Sequence, residues 1–128
     1  MITQRNVVLN KGSTRYPAEL IIDGDIMRLN SGIASVQKEG RFYFHTLKEI
    51  RAELQNEGIV MLVNGSRIDV YPSGMTLATF KAYIHTMGKQ TSLADLVNIF
   101  DEVSDMARLG SVEEQEEYHN KWVRSLGQ

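Results

Sequence analysis

The sequence predicts an α+β domain, an antiparallel sheet of hairpins with about three helices packed on one face or end. Three observations carry that expectation. The N-terminal third is a series of short apolar runs punctuated by turn pairs. The period then changes to helical spacing after residue 45. Two further stretches at helical spacing, each with a capping signal, close the chain. With 128 residues and 42% hydrophobic composition, one domain with its own core is expected over 1–128.

In order, Val7-Val8-Leu9 is a short apolar run. Residues 18–22 and 25–29 flank Asp23-Gly24, a pair suited to a type I′ hairpin. Residues 35–37 and 41–44 flank Lys38-Glu39-Gly40, which reads as a second hairpin. Leu47, Ile50 and Leu54 then recur at helical spacing; Thr46 and Glu49 have the form of a capping box, and Gly58 ends the helix. Residues 59–63 and 66–71 read as strands joined by Asn64-Gly65, the strongest hairpin signal in the chain, with Pro72-Ser73-Gly74 as the stop. Residues 79–86 fit either period, and their alternation favours a strand. Leu93, Leu96, Val97, Phe100, Val103 and Ala107 form a helical stripe capped by Ser92 and closed by Gly110. Ser111 with Glu114 opens the last helix, in which Val112, Tyr118, Trp122 and Leu126 recur at about one-turn spacing, making Trp122 an expected core anchor.

Composition narrows the chemistry. There is no cysteine, which excludes disulfides, thiolate metal sites and cysteine nucleophiles. The longest unbroken apolar run, 59–63, is too short to span a bilayer, and the first fifteen residues lack the apolar stretch of a signal peptide, so a cytoplasmic protein is expected. The net charge of −2 is uneven: residues 1–51 balance to +3, residues 52–90 to zero and residues 91–128 to −5. The N-terminal excess is too dispersed for a nucleic-acid face, and the acidic end reads first as solvated helix surface.

No metal or cofactor is expected. His45, His85 and His119 have no ligand spacing, and no phosphate loop or nucleophile elbow is present. Ser73 sits in a turn with no imidazole fixed beside it. Binding therefore ranks above catalysis. The conspicuous segment is 64–75, NGSRIDVYPSGM. A two-residue Asn-Gly loop would pair Leu62 with Arg67 and Val60 with Asp69, placing Arg67, Asp69 and Tyr71 in one row on the sheet face opposite Ile68 and Val70. Arg and Tyr are hot-spot residue types, so this row, with Tyr83, is the expected partner-binding surface; the competing reading is an inert surface ion pair.

The segment, followed by Lys81-Ala82-Tyr83, Met87-Gly88-Lys89 and a Leu96–Asp101 stretch, resembles that of small accessory proteins of bacteria often found on mobile DNA, whose relatives include candidate immunity proteins encoded beside toxins. It spans residues 59–101, and where similar proteins are glycine-rich after the methionine, this chain has Thr76-Leu77-Ala78-Thr79. The resemblance implies a protein-binding module that blocks a toxin. An accessory enzyme or ligand-binding protein acting on a small anionic molecule is the first alternative, and a nucleic-acid-binding regulator the second.

Overall fold

A computed structural model describes residues 2–127. Five strands form the main antiparallel sheet: β1 (Ile2–Lys11), β2 (Thr14–Asp23), β3 (Ile26–Ser31), β4 (Ser35–Glu39) and β5 (Ile59–Met61), in the spatial order β4-β3-β2-β1-β5. Alternation puts Val7, Leu9, Ala18, Leu20, Ile22, Met27, Leu29, Val36, Ile59 and Met61 in the core. The helix α1 (Tyr43–Gln55) covers that face with Phe44, Leu47, Ile50 and Leu54. A second, three-stranded antiparallel sheet, β6 (Val70–Tyr71), β7 (Lys81–Ile84) and β8 (Leu96–Asn98), runs in the order β6-β7-β8. The helix α2 (Val112–Ser125) lies across the segment that links the two sheets, bonding to the backbone of residues 65–70. Among the described residues no helix is long and apolar enough to cross a membrane.

The α+β class and the strand at 81–84 hold. So does the last helix, where Ser111 and Glu114 make the reciprocal capping box. Other expectations are corrected. The described residues contain two α-helices, not about three. The expected helix over 92–109 is a one-turn 3₁₀ helix (Leu93–Asp95), then β8, then irregular chain ending in another 3₁₀ turn (Met106–Arg108). Its apolar stripe is real, since Ile99, Phe100 and Val103 are buried. Ser92 and Asp95 make the expected capping box, but the helix stops after one turn because short polar side chains beyond it capture nearby backbone: the Phe100 N–H donates to Asn98 and the Ala107 N–H to Asp105.

The second expected hairpin fails for a similar reason of register. Residues 43 and 44 belong to α1, because Phe44 and Leu47 share its inner face; Thr46, expected as the cap, instead sits inside the first turn with its hydroxyl donating to the Phe42 carbonyl. The Asp23-Gly24 hairpin exists one residue later. Asp23 pairs with Ile26, so Gly24-Asp25 is the loop, and only Gly24 has positive φ (59°), as a type II′ turn requires. A Gly12-Ser13 loop with Gly12 at 63° joins β1 and β2 in the same way, a hairpin that the apolar run at 7–9 does not reveal.

Asn64-Gly65 does not form a hairpin loop. It opens a 3₁₀ turn (Asn64–Ser66), and β5 pairs with β1 instead of with residues 66–71. Gly65 serves close approach here: a Cβ would lie 2.6 Å from Leu47 Cδ2 and 3.1 Å from the Ile99 carbonyl oxygen.

Candidate functional site

Between β5 and β6 the chain at 64–69 crosses the interior outside the two sheets, so its backbone groups need partners other than a regular ladder. Its N–H groups find backbone carbonyls, those of Asn64, Gly65 and Ile68 donating to Asp101, Ile99 and Arg108, and several of its carbonyls are taken by two buried polar side chains. Gln115, fully buried on the inner face of α2, shares the two N–H donors of its Nε2 among the carbonyls of Gly65 (2.9 Å), Arg67 (2.8 Å) and Val70 (3.1 Å). Arg51, on the inner face of α1, donates to the carbonyls of Gly65 (3.0 Å) and Gly110 (3.1 Å) and to Gln115 Oε1 (2.8 Å). Arg51 is 5% exposed and makes no ion pair among the described residues. Burial pushes its guanidinium down to about 10, and the charge of Glu113 offsets part of that. One turn on, Gln55 accepts from the Val112 N–H and donates to Glu113; one turn back, Lys48 pairs with Glu116 at 2.7 Å. A single stripe of α1 thus holds the first half of α2.

The predicted row lies beneath this clamp. Arg67 and Asp69 form a two-bond fork, Nε to Oδ1 and Nη2 to Oδ2 at 2.8 Å each, with side chains only 11% and 5% exposed. Arg108 approaches the same carboxylate at 3.8 Å. The hydrogen bond to Asp69 raises the Arg67 pKa further. Tyr71 is half-buried; its ring stacks on His119 (centroids 3.7 Å apart, 9° between planes) and its hydroxyl reaches both Glu116 oxygens at 3.2 Å. Burial, then the Glu116 charge, pushes the Tyr71 phenol up to about 12. Tyr83 is half-buried and in register with Tyr71 across β6 and β7. The structure thus gathers the row around α2 and not on an outer sheet face.

Beyond the row the same segment reaches the surface. Pro72 is buried, and the next residues form a tight turn: Ser73 N–H donates to Thr76 Oγ1 (2.9 Å), and Thr76 N–H returns to Ser73 Oγ (3.2 Å). Thr79 Oγ1 donates to the Thr76 carbonyl (2.7 Å) and accepts from Lys81 N–H (3.0 Å), fixing the rest of the loop to β7. At the tip Met75 is 93% exposed. Ser73 Oγ is bonded within this turn, not to an imidazole.

Folding brings together two histidines that sequence spacing kept apart. His85 and His119 have ring centroids 5.7 Å apart, between Tyr71 on one side and Trp122, 3.9 Å from His85, on the other. Among the described residues the Nδ1 atoms of both are buried without a partner, and burial lowers both pKa values; His119 adds to the effect on His85. Among the described residues no group of three or more His, Asp or Glu is placed to hold a metal. Trp122 is half-buried, not a core residue: it covers His85 and donates to the Lys89 carbonyl.

Finally, a cleft of about 350 Å³ opens beside β5, walled by Val60, Leu62, Met106 and Leu109, with Arg51 and Gln55 in its lining. Arg51 and Gln115 stand out by no motif in the sequence. Their signal was a polar residue at a core register, Arg51 beside Ile50 and Leu54, and Gln115 one turn after Val112. Compared with models of protein families the chain matches none, and compared with curated proteins it finds no match.

Proposed function

We propose that this chain is a protein-binding module whose contact point is the turn at Met75, and that its partner, as the sequence resemblance implies, is a toxin that it blocks. The observation that carries the reading is the contrast within one segment. Its first half is locked under α2, whereas its last residue stands in water on a turn whose backbone is already fixed. A contact presented this way loses little conformational entropy on binding. Methionine is suited to the role because its unbranched thioether adapts to irregular partner surfaces. In this reading Arg67, Asp69 and Tyr71 position the turn from below by anchoring the strand that leads into it, and Tyr83 holds the returning strand opposite.

The test is protection of cells from the protein encoded beside this gene. The wild-type chain rescues growth, and Met75→Lys loses rescue while its thermal midpoint stays unchanged. Full rescue by Met75→Lys removes the turn from the contact. Failure of the well-expressed wild-type chain to rescue removes the immunity reading.

A further inference from the structure

We propose that the cleft beside β5 is a binding site for a small apolar carboxylate, with Arg51 receiving its negative end. The site is separate from the Met75 turn and does not depend on its role. A buried charge is stable when paired, yet Arg51 is 5% exposed and meets only neutral acceptors, two carbonyls and an amide oxygen. Those three bonds leave guanidinium N–H donors without a partner among the described residues, and the side chain lines the cleft. The one carboxylate in the lining, Glu114, is held away by the Ser111 N–H, to which its Oε1 is bonded at 2.8 Å. Glu113 is engaged with Gln55.

The lack of a directly bonded carboxylate on Arg51, which Glu113 offsets only from a distance, and the wall chemistry together define the ligand. A planar carboxylate matches the geometry of a guanidinium edge. Val60, Leu62, Met106 and Leu109 supply an apolar lining for the rest of the molecule, and Gln55 adds a neutral amide near the charged end. A volume of about 350 Å³ lies at the lower end of small-molecule sites, enough for a short hydrocarbon chain and not for a cofactor.

The probe is octanoate, compared with octanamide, which has the same length and no charge, each titrated into the full chain and followed by nitrogen–proton NMR. Removing Arg51 would break the clamp on segment 64–71, so the second arm instead fills the cleft from its rim with Met106→Trp, a position already 42% exposed. The expected result is saturable octanoate binding that moves the Arg51 side-chain N–H signal and the amides of residues 59–62. Octanamide should bind at least about tenfold more weakly, as the loss of a charge-assisted hydrogen bond implies. Met106→Trp should abolish the shifts with the fold intact. Equal binding of the two probes, shifts that survive Met106→Trp, or no saturation by about 10 mM octanoate would each overturn the assignment.

Discussion

At the scale of single residues, the chain depends on a few buried polar side chains that bond carbonyls left outside the sheet ladders. Gln115 is the central one, since its amide serves three backbone carbonyls and accepts from Arg51 at the same time. Gln115→Leu has similar volume and no hydrogen-bonding capacity. It leaves the Val70 carbonyl without this donor and removes one acceptor from Arg51, so it should cost about 3 kcal/mol in chemical denaturation. A cost below about 0.5 kcal/mol would mean that water takes over these bonds. Trp122 belongs to the same scale but to a different class. Half-buried over His85, it should lose about 2 kcal/mol as Trp122→Ala, less than a fully enclosed aromatic, again read by denaturation.

At the scale of elements, α2 is docked mainly by polar and aromatic contacts. Its buried residues are Val112 and Gln115, and the remainder of its inner face is Glu116, Tyr118, His119 and Trp122. That makes its docking sensitive to pH. His85 faces Asp69, Asp95 and His119; His119 faces Glu116 and Lys48. In both, burial outweighs the nearby carboxylates and keeps the folded-state pKa below the ordinary histidine value. The unfolded chain therefore binds protons first, and stability present above about pH 6.5 falls as the pH drops through that value. Measured from about pH 8 to about pH 5, the stability of His119→Phe should decline less than that of the wild type, because phenylalanine keeps the stack on Tyr71 without titrating. Identical pH profiles would place the sensitivity elsewhere.

The elements also show where sequence patterns were decisive and where they were not. The last helix was legible because its cap, its acidic first turn and its stripe agree with one another. The stripe at 93–107 was equally regular and its Ser92–Asp95 capping box forms, yet Asn98 and Asp105 spend their side chains on local backbone, a competition that apolar periodicity does not register. Asn64-Gly65 carries a hairpin signature, and the glycine is indeed needed. The need comes from Leu47 and Ile99 pressing on its Cα, partners that lie 18 and 34 positions away in sequence. The grouping of Arg67, Asp69 and Tyr71 as one functional row was therefore reached through a strand pairing that does not form, while their burial depends on a helix more than forty residues downstream.

At the scale of the whole molecule, the uneven charge of the sequence is partly consumed inside the fold. Arg5 pairs with Asp101 and Lys48 with Glu116, each joining the basic first part to the acidic last part. Glu113 and Glu114 are engaged with Gln55 and Ser111 at the start of α2. Part of the acidic C-terminal third thus serves docking within the fold.

Segment 64–75 divides into a buried anchor and an exposed tip, and the thermal midpoints of Arg67→Ala and Met75→Lys, measured side by side, test that division most directly. Arg67→Ala strands the Asp69 carboxylate, only 5% exposed and with Arg108 no nearer than 3.8 Å, so it should cost about 3 kcal/mol and lower the midpoint by roughly 10 °C. Met75→Lys alters a side chain already in water and should leave the midpoint within about 1 °C of the wild type. An unchanged midpoint for Arg67→Ala, or a clear fall for Met75→Lys, would contradict the account.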